Sequence, residues 1–275
     1  MNTIRAVVLD LDGTLLNSAK EVSAHSRRAV LDCCARGHAI IIATARPPRS
    51  VRELLPRELQ QLGYWICYNG GVVTDRGAVP LHVAYIPNDT VQSVYRYMEL
   101  HDRGSYVTFE SGDEMWSFRE LNEDEEKTLG IPAGAPKPRV MTEGHMAERP
   151  ITKLLISNGN GIYEALVRQF GSEVNMILTD NRQLIQIMPV SVSKAYGLRI
   201  ALERLGITAD QAMAFGDDYN DLALFEHCGY PVAMGNAVRE LQAIARTVTL
   251  TNDEDGVAVV LEQLPGLGGL RSPAG

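Results

Sequence analysis

Two short stretches of this chain place acidic residues where an apolar run ends. In VVLDLDGTLLN, residues 7–17, Asp10 and Asp12 close a nearly unbroken apolar run, and Gly13 and Thr14 follow at once. Residues two apart on a strand point the same way, so both carboxylates can project together at the strand's carboxyl end. Paired carboxylates repel, and the usual remedies are a metal ion or one shared proton. Gly13 allows a sharp exit turn that the Thr14 hydroxyl can hold. Alone, Asp-Gly is also a common turn signal. The second stretch, AMAFGDDYNDLALF, puts Asp217, Asp218 and Asp221 just after another apolar run, at the start of a helix. Acids in a first helical turn often serve only the helix dipole. Two such clusters at two strand ends of one sheet are hard to explain as capping. Oxygen ligands with no His or Cys among them suit magnesium.

Two further places add donors and positive charge. Thr44 and Arg46 end the run IIIATAR, and Lys194 opens a helix in VSVSKAYGL. A phosphate set among these residues would meet a hydroxyl, backbone N–H groups and an ammonium. An acidic chain needs such a local pocket to handle a phosphorylated ligand, and this one has a net charge of −8. That charge argues against nucleic acid and acidic membranes as partners. Cys33, Cys34, Cys67 and Cys228 lie inside apolar patterns with no zinc or redox spacing, which points to reduced thiols and a cytoplasmic setting. MNTIRAVVLD lacks the charged and apolar regions of a signal peptide, and no apolar run reaches the ~18 residues of a membrane span.

The elements that must position these groups follow a clear rhythm. IRAVVLD, HAIIIATA and YWICYNGG read as buried strands separated by the amphipathic helices VSAHSRRAVLDCCARG and RSVRELLPRELQQLG. A βαβαβ run implies a parallel sheet with right-handed crossovers. GVVTDRGAVPLHV reads as a hairpin. Near Ala84 the texture changes to helices mixed with short alternating strands and an irregular proline-rich loop. From Lys194 the strand–helix rhythm returns. The expected fold is α/β, a Rossmann-like doubly wound parallel sheet built from residues 1–83 and 189–275. An α+β domain, residues 84–188, is inserted, and the Gly- and Pro-rich tail 265–275 is expected to be flexible.

DLDGTLLN, TAR, a lysine opening a helix and GDDYND resemble, in order and spacing, the four motifs of the haloacid dehalogenase superfamily. The large insertion, YNGG at 68–71 and NDEDGVA at 252–258 resemble its Cof-type branch of magnesium-dependent phosphatases with an α/β cap. The resemblance implies that Asp10 attacks phosphorus to form an aspartyl-phosphate. It implies that Asp12 protonates the leaving oxygen, then activates water, while its backbone carbonyl binds magnesium. Asp217 would be a direct metal ligand, with Asp221 supporting the metal from behind. Thr44, Ala45, Arg46, Lys194 and Asn220 would hold the phosphoryl group. Two departures bear on the pocket's shape: the branch usually has Gly where this chain has Ala45, and Gly after the lysine where it has Ala195 and Tyr196. In the cap, Tyr106, Trp116 and Arg119 are candidates for substrate contact, with core packing the favoured role for the first two.

The leading expectation is a magnesium-dependent hydrolase of a small phosphorylated metabolite, such as a sugar phosphate. A phosphotransferase or mutase on the same core is the alternative. A signalling receiver domain would need neither Asp12 nor an insertion of ~100 residues. A non-catalytic phospho-ligand binder would not need every catalytic position filled.

Overall fold

A strand can be apolar at every position only where both faces are covered. The computed structural model of the chain, which describes residues 3–76, 78–129, 131, 136–179 and 182–267, has this arrangement at its centre. All four residues of β1 (Ala6–Leu9) are buried, as are most of β2 (Ala39–Ala43) and β3 (Gly63–Cys67). β4 (Val72–Thr74) and β5 (Pro80–Val83) come next. The middle of the chain supplies β6 (Val107–Ser111), β7 (Glu114–Ser117), β8 (Arg139–Val140), β9 (Lys153–Ser157), β10 (Val174–Thr179) and β11 (Leu184–Pro189). β12 (Ala212–Gly216), β13 (Tyr230–Ala233) and β14 (Thr247–Val248) follow.

The chain divides into two compact units, Met1–His82 with Ser193–Gly275, and Val83–Val192. The first unit is built on a sheet of order β14-β13-β12-β1-β2-β3-β4-β5, parallel from β14 to β3 and antiparallel at β3–β4. Its register decides where the chemistry lies. Leu9 is level with Ile42 on one side and Phe215 on the other. The chain therefore leaves β2, β1 and β12 at one height, and Thr44, Asp10 and Asp217 emerge side by side at the carboxyl edge.

Helix placement follows local chemistry. Ser23 caps the Ala24–Ala35 helix by accepting the Ser26 N–H. The single helix expected from residue 49 onward is two short ones, Pro48–Leu54 and Arg57–Gln60. Pro56 lacks an N–H and forces Leu55 into extended backbone, so the first helix stops there. The Lys194–Leu205 helix starts at Ser193, whose hydroxyl accepts the Tyr196 N–H, and ends at Gly206 in a left-handed conformation.

In the second unit a sheet of order β10-β11-β9-β6-β7-β8 packs one face on the helices Asn88–His101 and Tyr163–Phe170. Phe109, Leu154, Ile156, Ile185 and Ile187 form the centre of that core. Period two puts Thr108, Glu110, Lys153 and Gln186 on the opposite face. Trp116 is buried in the core, with the Arg149 guanidinium 3.8 Å over its ring. Tyr106 packs beside Leu155 and Leu184, and Arg119 pairs with Glu125 at 2.6 Å. These side chains serve packing and surface pairing. Gly77 of the hairpin, part of the proline-rich loop, and the tail beyond residue 267 lie outside the described residues. Among the described residues, no helix is long and apolar enough to cross a membrane.

Candidate active site

Asp10 sits one residue beyond β1, almost wholly buried, with its N–H donating to the Phe215 carbonyl at 3.2 Å. The Lys194 ammonium, fully buried, donates to Asp10 Oδ1 at 2.6 Å and to Asp221 Oδ1 at 2.7 Å. A lysine at the first position of a helix meets the wrong end of the helix dipole, and burial adds a desolvation cost. The two carboxylates offset both. Burial alone would lower the Lys194 pKa, but Asp10 and Asp221 outweigh it and hold the ammonium above the ordinary lysine range.

Asp217 completes the acidic group. Asp10, Asp217 and Asp221 each offer a carboxylate oxygen within 4.8 Å of the others. Thr14 Oγ1 donates to Asp217 Oδ1 at 2.9 Å. Asp221 Oδ2 accepts the N–H groups of Asp217 and Asp218 at 3.1 and 3.3 Å. Asp221 therefore has both oxygens committed, one to Lys194 and one to the turn that carries Asp217. Asp218 plays a different part: its side chain caps the Tyr219–Asp221 turn. Two glycines make these close approaches possible. A Cβ on Gly13, whose φ is +72°, would lie 2.1 Å from Asp217 Oδ2. One on Gly216 would lie 2.5 Å from Asp221 Cγ.

Crowding and burial around one ammonium move the titration of Asp10 and Asp217. Burial, with Asp221 and Asp12 adding to it and Lys194 opposing, pushes Asp10 up to about 7. Burial, with the charges of Asp10 and Asp221, pushes Asp217 up to about 9. The environment thus disfavours a net negative charge that a cation would cancel. The donor set is all oxygen, so it fits a hard divalent ion.

Asp12 lies outside this group and is partly exposed. Arg46 grips it with Nε on Oδ2 at 2.5 Å and a second nitrogen on Oδ1 at 2.8 Å. Lys20 Nζ adds a contact to Oδ1 at 2.8 Å. Burial raises its pKa, but Arg46 and Lys20 win and bring it down to about 2. The cations thus divide: Lys194 serves Asp10 and Asp221, and Arg46 with Lys20 serve Asp12.

The remaining predicted residues border this group. Buried Thr44 accepts the Arg46 N–H on its hydroxyl at 3.1 Å, and its carbonyl accepts the Asn69 N–H. Ala45 lies between Thr44 and Arg46, on the turn leaving β2. Asn220 donates to Asn69 Oδ1 at 3.0 Å. Asn69, fully buried in left-handed backbone, ties the loop after β3 to both motifs; its signal in sequence was the YNGG run. Tyr196 turns to the edge strand, where its hydroxyl meets His82 Nε2 at 3.1 Å, and the Arg199 guanidinium lies over its ring. Lys20 had no signal beyond being one lysine in a polar loop.

Comparison with known proteins bears on the family. A model of the haloacid dehalogenase-like hydrolases matches residues 7–261. YkrA of Bacillus subtilis (strain 168) is 30% identical over 274 residues, covering 94% of this chain and 97% of its own. YitU of the same organism, named a 5-amino-6-(5-phospho-D-ribitylamino)uracil phosphatase, is 28% identical over 269 residues and covers 94% and 96%. The solved structure of BT1666 from Bacteroides thetaiotaomicron, described among phosphatases of that superfamily, superposes with a TM-score of 0.82 at 26% identity, covering 95% of each chain.

Proposed function

This chain belongs to the haloacid dehalogenase-like hydrolase family, and on that premise we propose that it is a magnesium-dependent phosphatase. Its substrate would be a small phosphorylated metabolite, a sugar phosphate or similar phosphomonoester, and Asp10 would carry the phosphoryl group between two displacements. The observation that carries this reading is the pairing of buried Asp10 with Lys194 beside Asp217, within a partly exposed Asp12 held by Arg46. That arrangement offers a nucleophile, a cation site and a separate acid–base group at one sheet edge.

Asp10, Asp217 and the Asp12 backbone carbonyl would hold magnesium, which supplies the positive charge that lets a carboxylate approach a phosphate dianion. Asp221, with both oxygens engaged, fixes Asp217 and Lys194. The Thr44 hydroxyl, the Ala45 and Arg46 turn, Lys194 and Asn220 surround the phosphoryl oxygens. In the first displacement an Asp10 oxygen bonds phosphorus as the ester P–O bond breaks, and Asp12 gives its proton to the departing oxygen. In the second, water bonds phosphorus, Asp12 takes its proton, and Asp10 is released with inorganic phosphate. The contacts from Arg46 and Lys20 hold Asp12 as the carboxylate that the second step needs. A phosphate dianion nearby adds negative charge and competes for Arg46, which favours the protonated form needed in the first. Substrate choice is assigned to the second unit, whose sheet carries Thr108, Glu110, Lys153 and Gln186, with Leu155, on the face away from its helices.

The test is phosphate release from a panel of sugar, polyol and nucleotide monophosphates, with magnesium and with chelator, beside Asp10→Asn. Magnesium-dependent release that disappears in the variant is expected. A folded, fully active Asp10→Asn protein refutes the covalent route. Phosphate recovered on an added sugar acceptor, with none in water, refutes the hydrolase reading.

A further inference from the structure

Of the two described cations bonded to Asp12, Lys20 lies outside the expected phosphate-holding set, and its backbone is unusual. Its φ is +61°, in the left-handed region that non-glycine residues seldom occupy. A dense set of bonds sustains that conformation. The Lys20 N–H donates to the Asn17 carbonyl at 2.9 Å, and the Glu21 N–H donates to Asn17 Oδ1 at 2.9 Å. Ser18 gives its N–H and its hydroxyl to the Asp253 carboxylate at 2.7 and 2.6 Å, and Asn252 donates to the Leu16 carbonyl at 2.9 Å. The 252–254 turn thus holds the loop that presents Lys20. Backbone strain kept in place by its surroundings tends to mark a functional position.

We propose that Lys20 is a positioning residue for the second displacement: it holds the Asp12 carboxylate in the orientation that takes the proton from water. This rests on the phosphatase reading above. Arg46 and Lys20 both donate to Asp12 Oδ1, Arg46 from a side chain 20% exposed and Lys20 from one 54% exposed, so Lys20 is the partner more open to solvent. Water reaches the aspartyl-phosphate from solvent, so the solvent-side bond governs how often Asp12 faces it. In that step the water oxygen bonds phosphorus, the P–O bond to Asp10 breaks, and the water proton passes to Asp12. With p-nitrophenyl phosphate the departing phenolate needs no proton from Asp12, so for this ester the effect is confined to release of the phosphoenzyme.

The experiment uses the full chain with p-nitrophenyl phosphate and excess magnesium, with acid-quenched phosphoenzyme measured alongside steady-state rates. Lys20→Met is expected to lower kcat and KM together by about tenfold, leave kcat/KM unchanged and accumulate phosphoenzyme. Lys20→Arg should restore most of the turnover. Lys20→Gly relieves the left-handed strain, so it should melt no lower than the wild type while matching Lys20→Met in rate. Unchanged kcat in both Met and Gly variants overturns the proposal, as does a fall in kcat/KM without phosphoenzyme. A wild type that releases no phosphate from any ester overturns the phosphatase reading itself, which separates the two failures.

Discussion

Replacing Lys194 by Met tests the electrostatics of the site most directly. The side chain is of similar length, so the change removes charge and hydrogen bonds more than volume. In the folded chain Lys194 faces Asp10 and Asp221 at 2.6 and 2.7 Å, with its side chain and that of Asp221 wholly buried. Removing one partner of a buried ion pair leaves the other charges uncompensated and costs about 3–5 kcal/mol. Lys20 is an internal control. It makes a contact of nearly the same length to Asp12, 2.8 Å, but its side chain is 54% exposed. Exposed pairs contribute about 0–1 kcal/mol, so burial rather than distance decides the outcome. For a unit of this size each kcal/mol moves Tm by about 2–4 °C. Lys194→Met should therefore lower Tm by about 6–20 °C in chelator, and Lys20→Met by only a few degrees. Thermal melts followed by circular dichroism, at neutral pH in EDTA, measure both. If Lys194→Met melts within a degree or two of the wild type, the buried triad is not the electrostatic keystone described here.

The same crowding makes metal-free stability depend on pH. Asp10 and Asp217 are pushed up to about 7 and about 9, above their ordinary range near 4, so the unfolded chain gives up these protons first. Stability from these groups is full below about pH 4 and falls as pH rises towards 9. Urea midpoints in EDTA should decline across that window, and added magnesium should flatten the decline; a midpoint that rises with pH in EDTA contradicts the assignment. Gly216→Ala would set a methyl 2.5 Å from Asp221 Cγ. It should cost about 1–3 kcal/mol and weaken magnesium binding in calorimetry, and an unchanged affinity would show that Asp221 does not fix Asp217.

The strands were legible because burial on both faces writes itself as unbroken apolar runs: AVVL, IIIA and AMAF have no polar position to spoil the pattern. The site was legible where a carboxylate directly follows such a run, since the parallel register brings the strand ends to one height. The pairings around Asp12 were not. Arg46 reaches it across 34 positions and Lys20 across eight, through turns whose left-handed residues include Lys20 itself. No periodicity encodes such a contact. Tyr196 lies two residues after Lys194, and at about 100° per residue the two side chains point about 200° apart round the helix, which sends its hydroxyl to His82. Pro56 gave a local signal that the helical pattern around it concealed.

Asp10 and Asp12, two residues apart, titrate in opposite directions, and the reason is where their cations sit. Asp10 shares its one ammonium with Asp221 and has a third carboxylate alongside, so burial prevails and the group is pushed up to about 7. Asp12 is bonded by two cations and reaches solvent, and although burial raises its pKa it is brought down to about 2. Environments that drive neighbouring acids apart are how one site assigns different roles to the same side chain. A group short of positive charge is the one that gains most from a bound cation, which suits Asp10 to meet a phosphate across a metal. A group already supplied with positive charge stays ionised without that metal, which suits Asp12 to accept a proton. On the proposed mechanism, the unequal sharing of Lys194, Arg46 and Lys20 between these two aspartates would divide nucleophile from base, and exchanging either set of partners should exchange the titration before it alters the fold.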